Sequence, residues 1–260
     1  MKVIDLFCGA GGFSLGFKEA GYEIVLGVDS NPDALATYEA NVGPGLLQDV
    51  REFEFNGWGR PDVVIGSPPC QSFSQANRKT RSCDLSLVDR FMNLVRNLNP
   101  RVWIMEEIEG AFFALRRRGN IGFHVYRVDA ADYGVPSRRR RFFASNVAPI
   151  LPLRTFEHTP ASTVIDDGDN LRMYNWDWNK RLAPTNVPAP TLTSKNFRVV
   201  SEDGERVGTV QENAALMTFP GNFKWPDKKT VALQQIGNAV PPLLAKMIAE
   251  TVKIHFVKSG

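Results

Sequence analysis

The sequence predicts an α/β protein: a doubly wound, mostly parallel sheet of the Rossmann-like kind with a small irregular region attached. Three observations carry this. Short β-branched apolar runs alternate with helical stretches over the first 146 residues, as parallel sheets require. The first strand runs into a glycine-rich turn, Gly9-Ala10-Gly11-Gly12, and an acid, Asp29, closes the second strand about 20 residues later. After Asn146 the chain turns rich in Pro, Thr, Asp and Asn and loses its periodicity until about Val200.

Taken in order, Lys2 to Phe7 reads as a buried strand and the segment through Ala20 as its helix. Glu23 to Val28 is the second strand. The next helix starts near Pro32, a residue suited to a first turn, and runs to about Asn41. Asp49-Val50 ends the following βα step, and Asp62 to Gly66 is a short strand. Leu87, Phe91, Leu94, Val95 and Leu98 recur at helical spacing over Leu85 to Leu98. Val102 to Met105 is a buried strand closing at Glu106-Glu107, and Phe123 to Val128 and Arg141 to Ser145 are two more. A closing helix begins near Pro241-Pro242, with Leu244, Met247, Ile248 and Val252 on one face. The expected organisation is 1–146 catalytic and cofactor-binding, 147–225 a small recognition region, and 226–260 a segment returning to the first domain.

At 260 residues and 43% hydrophobic content the chain buries a full core. No run has membrane-spanning length and no secretory leader is visible, so no membrane role is expected. Cys8, Cys70 and Cys83 lack metal-ligand spacing, which predicts no metal site and a reducing, cytoplasmic location, beside the nucleoid in a prokaryote. A net charge of +3 permits a nucleic-acid partner, and Arg116-Arg117-Arg118 and Arg138 to Arg141 concentrate that charge.

Two stretches carry chemistry. In the first βα turn, glycines let the backbone approach a ligand and free helix amides favour an anionic group, while Asp29 is placed for ribose hydroxyls. Ser14 stands where a dinucleotide fingerprint has its third glycine, which argues against NAD and for another adenosine cofactor. The second stretch is Gly66-Ser67-Pro68-Pro69-Cys70-Gln71-Ser72. Cys70 follows the end of a parallel strand, where open sheets hold ligands, on an arm stiffened by two prolines. From these residues alone it reads as a nucleophile or as a packed small side chain. Cys8 reads as a packed residue.

Five blocks in order resemble the motifs of cytosine-C5 DNA methyltransferases: Asp5 to Ser14, Gly66 to Ser74, Met105 to Ile108, Tyr133 to Arg141, and Gln235 to Pro241. The resemblance runs from residue 3 to about 250. It implies S-adenosylmethionine as cofactor and duplex DNA as partner, with the target cytosine swung out of the helix. It assigns Cys70 as the nucleophile on C6. Glu106 becomes the carboxyl that contacts N3 and the exocyclic amine, a task that calls for a raised pKa. Arg139 and Arg141 brace the base and its phosphate. Phe7, Gly9, Gly11, Asp29, Asp49, Val50, Leu87 and Asn238 are the implied cofactor contacts. Gln71, Ser72, Arg78 and Lys79 belong to a loop closing over the DNA, and Trp176, Trp178 and Lys180 are candidate contacts in the recognition region. A monomer is expected, with a cognate restriction endonuclease, where there is one, acting separately.

The chain departs from the family pattern at several points. Glu107 and Ile108 follow Glu106 where the family has Asn-Val, and Ser137 stands for a glutamine. Alternation along a strand turns Glu107 away from Glu106 into supporting structure, where burial calls for a cation such as Arg139. The connection from Gly110 to Phe123 is shorter than the family's helix-bearing one, and the recognition region is small. An RNA cytosine-C5 methyltransferase, a weakly active DNA-binding relic and, remotely, a nicotinamide oxidoreductase are the competing readings.

Overall fold

The structure, a computed structural model, describes residues 1–55, 59–69, 84–117, 122–155, 157–165, 172–175, 182–201 and 204–257. Its centre is a seven-stranded sheet: β1 (Lys2–Leu6), β2 (Glu23–Asp29), β3 (Gly45–Leu47), β4 (Val63–Gly66), β5 (Val102–Glu107), β6 (His124–Asp129) and β7 (Arg140–Ser145), in the order β3-β2-β1-β4-β5-β7-β6. Strands β1 to β5 pair in parallel, and β7 runs antiparallel between β5 and β6. The reversal has a local cause. A tight 3-10 turn, Ala130–Tyr133, ends in left-handed Gly134 (φ 83°), so β6 and β7 form a hairpin instead of a crossover.

Helices α1 (Gly12–Glu19), α2 (Pro32–Asn41), α3 (Ser86–Leu98) and α4 (Glu109–Arg117) cover the sheet. The short connection after β5 therefore does hold a helix, α4, which the sequence reading passed over. Its Phe112 stacks on Phe142 of β7 at 4.3 Å. That tertiary contact supplies what a nine-residue helix lacks by itself.

A second sheet is formed by β8 (Arg172–Asn175), β9 (Ala183–Pro184), β10 (Phe197–Ser201) and β11 (Gly204–Val207), antiparallel in the order β11-β10-β8-β9. The region read as irregular is thus built on strands too short to show a period. Among the described residues it shares its core with the first sheet's helices. Met173, Phe197 and Val199 pack in one cluster with Leu15, Leu35 and Tyr38 of the first sheet's helices. The chain returns through α5 (Val210–Leu216), started by a Thr209–Glu212 capping box, then α6 (Lys229–Asn238) and α7 (Pro242–Val252).

Helix α7 lies against α1 so closely that a Cβ on Gly16 would fall 2.4 Å from the Lys246 amide. Gly16 thus serves helix packing, and α7 joins a core with Val3 of β1 and Phe13 and Phe17 of α1. Trp176, Trp178 and Lys180, and the Cys70, Gln71, Ser72, Arg78 and Lys79 stretch, lie outside the described residues.

Candidate active site

The carboxyl ends of β1, β2, β4 and β5 and the amino end of antiparallel β7 share one edge of the sheet, and a cleft of about 580 Å³ opens there. One side belongs to β1 and β2. Phe7 takes a left-handed φ of 63°, unusual for a side-chain-bearing residue, and Gly9 and Gly11 follow at 54° and 93°. This turn is held from beneath by Asp29, whose Oδ2 accepts the Gly9 N–H at 2.8 Å. Its Oδ1 accepts the Asn31 N–H at 2.8 Å, and Asn31 in turn caps α2 through the Ala34 amide. Phe7, Gly9, Gly11, Asp29 and Asn238 all line the cleft.

Asp49, Val50 and Leu87 are not among the lining residues. Val50 and Leu87 are buried. The Asp49 carboxylate turns to the Arg51 amide and guanidinium, and those bonds, the amide first, hold it below its ordinary range.

Below the turn lies a buried polar network. Ser14 donates to Asp5 Oδ2 at 2.6 Å and sits 3.0 Å from the Tyr38 hydroxyl. Burial raises Asp5 to about 7, with Ser14 pulling it down and Asp29 adding to the rise. Burial likewise keeps the Cys8 thiol and the Tyr38 hydroxyl protonated. Sequence reasoning did not single out Asp5, although an acid inside the apolar run Val3-Ile4-Asp5-Leu6 is a visible signal.

The other side of the cleft belongs to β4, β5 and β7. Ser67, Pro68 and Pro69 form its rim, and Glu106, Glu107, Arg139 and Arg141 its floor. The basic run divides by strand alternation. Arg138 and Arg140 turn outward to Asp129 at 3.1 and 3.4 Å, while Arg139 and Arg141 turn in. Against the pull of burial, the amides of Arg139 and Ala131 and those two arginines hold Asp129 below the usual carboxylate range.

Arg141 Nε lies 3.0 Å from Glu106 Oε1, but its N–H points aside. The contact is ionic, and the oxygen still lacks a hydrogen-bond donor. Arg139 is fully buried and donates to the carbonyls of Gly237 at 2.8 Å and Asn238 at 3.0 Å. It caps the last turn of α6, where a cation is favoured, and so ties the closing block to the cleft. Ser137, fully buried, donates to the Leu216 carbonyl at 2.8 Å.

Glu107 follows Trp103 and Met105 on the face of β5 opposite to Glu106, beside Phe142 of β7, as alternation predicts. It is 4% exposed and has no hydrogen-bonded cation among the described residues. Arg139 is spent on α6. The burial cost is met by protonation instead: burial first, then Glu106 beside it, raise Glu107 to about 8, against weaker lowering by the Ile108 amide and Arg141.

The comparisons agree with this geometry. The C-5 cytosine-specific DNA methylase family model matches residues 1–165 and 154–254. Type II methyltransferase M.AplI of Arthrospira platensis is 31% identical over 98% of this chain and 86% of its own length. The fold is shared with a protein encoded within an E. coli prophage (TM-score 0.76, 20% identity, 98% of this chain and 99% of that one). It is shared as well with the S. pombe Dnmt2 methyltransferase (TM-score 0.70, 15% identity, 98% of both). A family match over nearly the whole chain, on a mostly parallel sheet with the motifs gathered at one edge, has one meaning: the chain belongs to the C-5 cytosine-specific DNA methylases and is a DNA cytosine-5-methyltransferase.

Proposed function

We propose that the β1–β2 side of the cleft binds S-adenosylmethionine and the β4–β5–β7 side a cytosine swung out of duplex DNA. The observation that carries this reading is the Glu106–Arg141 ion pair on the floor of a cleft whose rim ends at Pro69, one residue before Cys70.

The β1–β2 side suits an adenosine cofactor. Gly9 lines the cleft and has no heavy atom within 4 Å of where a Cβ would sit, so its bare Cα leaves room for a ligand. Each Asp29 oxygen accepts one backbone amide and keeps a lone pair for a ribose hydroxyl. When bound, S-adenosylmethionine supplies an electrophilic methyl group.

The protein's own residues make C5 of cytosine reactive. The Cys70 thiolate adds to C6 and forms a C–S bond, and the C5–C6 double-bond electrons shift into the ring as an enamine. Glu106 faces N3 and the exocyclic amine and stabilises the developing charge, with Arg141 orienting its carboxyl. Once C5 carries the methyl, a base removes the C5 proton. The double bond re-forms and the thiolate leaves.

Transfer of labelled methyl to duplex DNA tests the reading. Cys70→Ser is expected to lose more than about 10⁴-fold in turnover, over 5 kcal/mol of barrier, while S-adenosylhomocysteine binding is unchanged. Label entering RNA alone, or an active Cys70→Ser variant, would overturn it.

A further inference from the structure

The chain entering β7 carries four consecutive arginines, and two of them, Arg139 and Arg141, line the cleft. The other two share one carboxylate outside it. Asp129 Oδ2 lies 3.1 Å from Arg138 Nη1 and 3.4 Å from Arg140 Nε. Its Oδ1 accepts the backbone amides of Arg139 at 3.0 Å and Ala131 at 3.4 Å. One acid therefore fastens the turn between β6 and β7 and orients two arginine side chains.

The arrangement presents positive charge to solvent. The Asp129 side chain is 10% exposed, against 42% for Arg138 and 66% for Arg140. Two guanidiniums on one carboxylate leave a surplus of one positive charge. Each gives Asp129 one of its five N–H groups. Stability does not explain the second cation, because exposed ion pairs add little and Asp129 already has two amides and Arg138. The neighbouring charges are matched: Arg127 pairs with Glu109 at 3.1 Å, and Arg154 with Asp132 at 3.4 Å. The surplus falls on Arg138 and Arg140.

Its position is informative. Adjacent Cα atoms are about 3.8 Å apart, so each outward arginine stands one residue from an arginine of the cleft. A nucleotide swung into that cleft leaves its strand crossing the mouth, with phosphates on either side of the extruded base. Guanidinium forks match phosphate oxygens, and an arm already held by a recessed acid loses less freedom on contact.

We propose that Arg138 and Arg140 bind the backbone phosphates flanking the extruded cytosine, with Asp129 as the brace that aims them. This rests on the base-binding reading above and extends it from the base to the strand that carries it.

The full-length chain, wild type and the double variant Arg138→Gln/Arg140→Gln, is tested for labelled-methyl transfer to unmodified bulk duplex DNA and for equilibrium binding to a random-sequence duplex over a salt series. The double variant is expected to raise KM for DNA about 10- to 100-fold, with kcat at saturating DNA and S-adenosylhomocysteine binding little changed. Its plot of log affinity against log salt becomes shallower by about two, near 0.9 for each phosphate released. Arg138→Lys/Arg140→Lys, which keeps the charge, retains the wild-type salt slope. Asp129→Asn keeps both arginines and also retains it.

An unchanged KM and salt slope in the glutamine variant overturns the inference. So does an equal loss in Asp129→Asn, which would make the arginines mere partners of that acid, or a fall in kcat alone. A slope change seen with duplex RNA and not with DNA removes the assignment to DNA. A wild type that transfers no label to DNA defeats the base-binding reading, and the duplex-binding slope still decides whether these arginines hold phosphates.

Discussion

The two sides of the cleft are built on opposite plans. On the β1–β2 side the polar groups are largely satisfied within the protein: Asp29 holds two amides and Ser14 bonds Asp5. On the β5–β7 side Glu106, Glu107 and Arg139 each keep an unpartnered buried atom. The first side is preorganised by backbone and needs a ligand only to fill space and take up spare lone pairs. The second is left incomplete, with buried polar atoms that no neighbour satisfies. Groups left waiting in a dry site act most strongly on the charge that develops during reaction.

Breaking the incomplete side should cost the most in rate. Glu106→Gln leaves Arg141 without its counter-charge, and kcat is expected to fall about 10²- to 10⁴-fold with cofactor affinity little changed. Single-turnover methylation beside equilibrium binding of S-adenosylhomocysteine checks this. A comparable loss in both would mean that the two sides are not separable.

The preorganised side should show itself in stability and its pH dependence. Asp5 is raised from 3.8 to about 7, so the folded protein keeps a proton that the unfolded chain releases. Stability therefore falls as pH rises through that window, by at most on the order of 4 kcal/mol, and levels off above it. Asp5→Asn keeps an acceptor for Ser14 and cannot titrate, so its melting temperature should drop less than that of wild type between pH 5 and pH 8. Parallel profiles would remove Asp5 from this role.

The smallest effect separates two neighbouring glycines. At Gly11 an added Cβ would lie 2.6 Å from Val42 and 2.7 Å from Tyr38, so Gly11→Ala should destabilise the fold by about 1–3 kcal/mol. Gly9 faces open space, and Gly9→Ala should pay only the left-handed backbone cost of about 1–2 kcal/mol and weaken cofactor binding more than stability. Thermal melts with and without S-adenosylhomocysteine distinguish the two. Equal ligand-induced shifts would mean that Gly9 does not face the cofactor.

How much of this was legible in the sequence depends on the range of the forces involved. The parallel strands, the glycine turn and the placement of Asp29, Glu106 and Arg139 follow from local patterns: apolar runs, turn residues and ordered motifs. The arginine run was visible as charge, and alternation along the chain leading into β7 matches which two arginines line the cleft. The four short strands of the second sheet were not legible, because strands of two to five residues cannot display a period and they pack against Leu15, Leu35 and Tyr38 far away in the chain.

Glu107 marks the boundary most clearly. The sequence by itself determined that an acid follows Glu106 at the end of a buried strand, and alternation pointed it away. Only the tertiary structure decided that Arg139 is committed to the α6 carbonyls and not to Glu107. Protonation states belong to that second class, since a carboxyl's charge is set by the burial and neighbours that folding assembles around it.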